Sequence, residues 1–203
     1  TIYIDNISFP GGIFVPLPEG TPSTPAPEVN ANSHSVVYSS NDSINPSGTD
    51  MATGTNFNPN WGEASTLLPA TDLDESVGDV LKMSNLSYQG VMLGSAVDAS
   101  GMTSLHIDLW SAGEGTVKLF LISPGPSQAA VTLPIQSGMW NSFDIDLNAY
   151  DGVDLSNVIQ LMFDKGGDDG LTEFYIDNLM FTGMAPNFTP NAPDSDALPD
   201  GPA

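Results

Sequence analysis

Apolar and polar side chains alternate one for one along short runs at residues 35–39, 81–86, 104–110, 116–122, 129–135, 140–147, 158–163 and 173–181, with Gly, Pro, Asn, Asp and Ser between them. A period of two marks a strand with one face in a core and the other toward water, and no segment sustains the 3.6-residue period of a capped helix. Many short strands separated by turn residues argue for sheet packed on sheet. The chain is therefore expected to be all-β, an antiparallel β-sandwich of jelly-roll type.

Proline sets the expected boundaries. Of 17 prolines in 203 residues, six lie between Pro10 and Pro27 and five between Pro186 and Pro202, in stretches without hydrophobic periodicity. Residues 12–33 and 185–203 read as extended linkers, the second of them acidic, which leaves one module at 34–184, long enough to bury a core. Residues 1–11, TIYIDNISFPG, repeat the pattern of residues 173–183, EFYIDNLMFTG. That places the terminal strand of a preceding, truncated repeat at 1–11 and implies a tandem array with adjacent modules of the same parent chain.

Three Lys or Arg against 25 Asp or Glu give a net charge of −22, which repels nucleic acid and anionic membrane surfaces. Neutral ligands and cations remain as partners. The acids are spread through the module, a solubility pattern suited to saline, marine surroundings. There is no cysteine, and a secreted domain without disulfides needs its own core or a structural metal. No 18-residue apolar run is present, so membrane insertion is not expected.

Within 104–110 the alternation puts Leu105, Ile107 and Leu109 on one face and His106, Asp108 and Trp110 on the other. With the aliphatic set inward, an imidazole, a carboxylate and an indole share an exposed sheet surface, the chemistry of a sugar-contacting platform; simple packing of Trp110 is the alternative.

The runs FNPNWGEAST, LKMSNLSYQGVML, VDASGMTSLHIDLW, GMWNSFDIDLNAY and FYIDNLMF, in that order between Val36 and Gly183, resemble the non-catalytic β-sandwich modules appended to marine bacterial laminarinases and related secreted glycan-degrading proteins. The resemblance implies an extracellular or cell-surface carbohydrate-binding module with a jelly-roll fold, a bound calcium ion (Ca2+), and a polysaccharide ligand, first of all a β-1,3-glucan such as laminarin. It departs from that pattern soon after the first strand, where an Asp is expected and Ser40 precedes Asn41 and Asp42.

Aromatic rings bind sugars because the C–H face of a pyranose stacks on a π surface while nearby amides and carboxylates take the hydroxyls. Trp61, between Asn60 and Glu63 in a turn-forming stretch, either presents its indole at a loop tip or folds back over the sandwich end. Tyr88 and Gln89, before Gly90, are a second ring-and-amide candidate, with a buried Tyr as the alternative. Trp140 reads as a core anchor.

Asp177 interrupts an apolar strand, where an unpaired charge is costly, and calcium explains it. If the first and last strands pair, Ser39, Ser40, Asn41 and Asp42 could complete the site; a solvated edge-strand Asp is the alternative. The acidic loop 164–170 lacks the spacing of an EF-hand. Asp144 and Asp146 point the same way from one strand and flank no bond, so catalysis is not expected. The competing reading is a calcium-rigidified structural repeat of an adhesin or surface-array protein, which has no reason to present aromatic rings in one groove.

Overall fold

A computed structural model describes residues 20–29, 34–40, 54–71, 73 and 77–183. The expected terminal strand at 1–11, the tail at 185–203, and Asn41 and Asp42 lie outside the described residues. The strands are β1 (His34–Tyr38), β2 (Thr66–Pro69), β3 (Leu81–Ser84), β4 (Tyr88–Val97), β5 (Ser104–Trp110), β6 (Gly115–Ser123), β7 (Ser127–Ile135), β8 (Trp140–Asp146), β9 (Val158–Asp164) and β10 (Phe174–Thr182). They form two antiparallel sheets, the β-sandwich that the alternation predicts. One runs β2-β3-β10-β5-β8, with β1 also paired to β10; the other runs β4-β9-β6-β7.

The core lies between the sheets because the apolar parity of each strand points there. Leu105, Ile107 and Leu109 from β5, Val117, Leu119 and Leu121 from β6, and Leu161 and Phe163 from β9 are all fully buried. Alternation persists in β7, an edge strand whose Leu133 and Ile135 face inward while Gln128, Ala130, Thr132 and Pro134 face out. β5 and β10 do not alternate in burial. Both are covered on their two faces, as central strands of a capped sheet are.

The cap over the second face of β5 has two parts. Val77, Val80, Trp110 and Tyr175 form a separate apolar cluster against which Ala70, Leu73 and Trp140 pack. Residues 20–29, expected to be linker, lie along the same sheet: the Trp140 indole N–H donates to Thr24 O at 2.8 Å and Asn178 Nδ2 donates to Pro27 O at 3.0 Å. Pro22 is buried. This strap corrects the expected platform of His106, Asp108 and Trp110: the aliphatic set does face inward, but the other three residues are buried too.

Candidate functional site

The outer face of the four-stranded sheet is the one that keeps a half-exposed surface. Register places Gly90 of β4 beside Met162 of β9, Met162 beside Phe120 of β6, and Phe120 beside Ala130 of β7. This apolar band crosses four strands, three interstrand spacings or about 14 Å. A polar row, Tyr88-Asp164-Lys118-Thr132, flanks it on one side, and a mixed row, Met92-Gln160-Ile122-Gln128, on the other.

Trp61 heads the band. A Cβ at Gly90 would stand 2.1 Å from two carbons of the Trp61 ring, so the indole lies directly on the β4 backbone and only glycine leaves room for it. Tyr88, two residues earlier on the same face, donates its hydroxyl to Trp61 O at 3.2 Å. Both rings are half-buried.

The loop carrying Trp61 is fastened at several points. Asn56 exchanges two backbone hydrogen bonds with Met92 at 2.8 and 2.9 Å. Asn58 pairs its side chain with the backbone of Leu67 in β2, accepting from Leu67 N at 2.8 Å and donating to Leu67 O. Gln89 points the other way from Tyr88, into the interior, where its Nε2 donates to Phe57 O at 3.0 Å. Strand parity thus removes Gln89 from the surface and makes it an anchor for the Trp61 loop. Asn60 is exposed and accepts from Gly62 N at 3.3 Å, while Glu63 is half-buried. Structure brings Trp61, Tyr88, Asn60 and Glu63 to one end of the band. It adds Phe120 and Met162, which sequence reasoning missed; the signal available was an aromatic at an outward position of an alternating strand.

A second polar constellation lies on the other sheet. β10 bulges between Asp177 and Met180, with Asn178 at φ +48°, a conformation Asn tolerates better than most residues. The bulge turns both side chains into a buried network. Asp177 accepts from Ser40 N at 2.9 Å, from the Ser40 hydroxyl at 2.5 Å and from Asn178 N at 2.7 Å. Ser39 donates its hydroxyl to Asn178 Oδ1 at 2.7 Å, and Asn178 Nδ2 donates to Asp108 Oδ2 at 2.7 Å. Asp108 also accepts from Ser142 Oγ. His106 stands between two carboxylates, with Nδ1 2.8 Å from Asp144 Oδ1 and Nε2 3.5 Å from Asp108 Oδ2.

Burial raises the Asp177 carboxyl against the three hydrogen bonds that favour its charged form, and the charge of Asp108 raises it further. For His106, burial works against the imidazolium, but the nearby Asp108 carboxylate and the hydrogen-bonded Asp144 outweigh it, and the pKa lies above its ordinary value. Among the described residues no group of three or more His, Asp or Glu side chains gathers as metal ligands. Asp177 and the Ser40 hydroxyl nevertheless supply the hard oxygen chemistry calcium takes, beside a buried charge that a cation would offset. Asp144 and Asp146 do not act as a pair: Asp144 engages His106, and Asp146 caps the turn at Leu147–Ala149 by accepting from Asn148 N.

No family model and no curated protein sequence matches the chain. Solved structures do. One point mutant of the family 29 carbohydrate-binding module CBM29-2 is 16% identical with a TM-score of 0.50, covering 79% of this chain and 99% of that one. A second point mutant of that module is 15% identical, again at 0.50, covering 76% and 87%. A third, complexed with mannohexaose, is 16% identical at 0.49, covering 76% and 93%. The first two likenesses establish a shared fold.

Proposed function

We propose that this chain is a non-catalytic polysaccharide-binding module whose ligand lies across the outer face of the four-stranded sheet. The observation that carries this reading is the Trp61 indole laid on Gly90, with Tyr88 beside it and Met162 and Phe120 extending the apolar band next to a row of polar side chains. Sugar rings stack on such a band through their C–H faces, and Asn60, Asp164, Lys118, Gln160 and Gln128 stand where hydroxyls would need partners. Kinship of fold with carbohydrate-binding modules supports the same reading.

The ligand is a β-glucan, with the β-1,3-linked laminarin type placed first by the sequence resemblance, and the module carries its parent protein to that polysaccharide outside the cell or at its surface. Calcium at Asp177, with oxygens from Ser39 and Ser40, steadies the junction of β1 and β10 without touching the glycan. A binding panel of laminarin, cellulose-derived and mannan oligosaccharides, run with and without chelator, tests this. Binding to laminarin that Trp61→Ala weakens supports it. Failure to bind any polysaccharide would favour the structural-repeat reading.

A further inference from the structure

Two backbone carbonyls of residues 20–29 accept from the six-stranded sheet, and one of them joins the strap to a charged chain. Thr24 O takes the Trp140 indole N–H, and Pro27 O takes one amide hydrogen of Asn178, whose other goes to Asp108. Asp108 is fully buried, and His106 is the cationic group beside it. Of the three lysines, Lys82 pairs with Glu173, while Lys118 and Lys165 stand on or next to the other sheet.

We propose that the strap at 20–29 is a proton-sensitive clasp, in which the imidazole of His106, held between Asp144 and Asp108, governs through Asp108 and Asn178 whether the strap stays seated.

With the imidazolium in place, the charge of Asp108 is balanced and its carboxylate can keep Asn178 oriented toward Pro27. Loss of that proton leaves the buried Asp108 carboxylate without its neighbouring cation, and in the calcium-free protein Asp177, in register with it on β10, adds like charge. The network then gains by admitting water, and the strap, joined to it through Pro27 O, is the cover that yields. Among the described residues, the charged groups facing His106 are Asp108 on its own strand and Asp144 from β8, with Asp177 from β10 beyond Asp108. Asp144 is the solvent-facing member, its side chain 71% exposed, and gives the proton a route out.

Two-dimensional NMR of the full chain across pH reads both ends of the device. The His106 ring signal reports protonation, and the Trp140 indole N–H reports strap seating. The proposal expects both to change with a common midpoint above 6.5, cleavage within 20–29 by an added protease to rise above that midpoint, and the Trp140 transition to disappear in His106→Gln. An indole signal or cleavage rate that ignores the His106 midpoint, or a transition that survives His106→Gln, overturns it. If His106→Gln does not fold, Asp144→Asn decides: removing the outer carboxylate must shift both midpoints to lower pH together. A His106 midpoint that moves without the Trp140 midpoint also overturns the clasp.

Discussion

The Trp61 ring and the Gly90 backbone touch so closely that the smallest side chain at Gly90 would overlap the indole, with ring carbons 2.1 Å from where its Cβ would lie. A glycine in a strand interior is costly unless another group needs the space. Here the space is filled by an aromatic ring on a face that is otherwise open, which links a weakness of β4 to the construction of a binding surface.

Gly90→Ala should therefore mimic Trp61→Ala. Both remove the indole from its seat, and each is expected to weaken glycan binding by about 1–3 kcal/mol, the loss typical of a central aromatic anchor. Calorimetric titration with laminarin oligosaccharides measures it, and circular dichroism checks that the fold persists. Full affinity in Gly90→Ala would mean that the position of Trp61 does not matter.

Phe120→Ala tests the length of the site. Phe120 lies two strands from Gly90 along the band. Its loss should weaken binding of long oligosaccharides more than short ones, because a short ligand can be held near Trp61 and Tyr88 alone. An equal effect on all lengths would confine recognition differently.

Trp110→Ala should do the reverse. Trp110 meets Tyr175 edge to face, with centroids 5.8 Å apart, inside the second apolar cluster. Stability should fall by about 3–5 kcal/mol, as for truncating a buried aromatic, with glycan affinity unchanged in the folded fraction. Chemical denaturation and titration on the same sample separate the two.

Calcium should raise the melting temperature, and Asp177→Asn should remove that response. A burial-raised carboxyl costs stability once ionised, so without metal the Asp177 term is favourable below the ordinary carboxylate range and is lost as pH rises. Calcium at a hundredfold its dissociation constant would return about 2.7 kcal/mol. Melting curves in calcium and in chelator check this, and identical curves would remove the metal from the account.

The His106 contribution has the same sign at higher pH. Its folded pKa is raised, so the stability it supplies is complete below about 6.5, the unfolded value, and disappears as pH rises through the folded value. Denaturation of His106→Gln should lack this alkaline decline.

Much of the sandwich was legible because packing between two sheets imposes the period of two: the runs at 104–110, 158–163 and 173–181 fall on β5, β9 and β10 nearly end to end. β4 was not legible. Gly90, Gly94, Ser95 and Ala96 give it little of the β-branched character strands favour, and it is held by its partner β9 and by the Asn56 bridge. β2 is four residues long and ends on Pro69, as an edge strand can. The burial of His106, Asp108 and Trp110 escaped because composition cannot tell a Pro-rich linker from a Pro-rich strap. Trp61 and Tyr88 were identifiable as rings near turns, but Phe120 and Met162 acquire a role only through cross-strand register, and Asn178 only through a bulge.

The central claim is where the ligand lies, and chemical-shift mapping of the full chain during titration with a laminarin oligosaccharide addresses it most directly. The account predicts that the largest perturbations fall on Trp61, Tyr88, Phe120 and Met162, with the Trp110 and Trp140 indole signals unmoved. Perturbations centred on β5 and β8, or none at any ligand concentration, would contradict it.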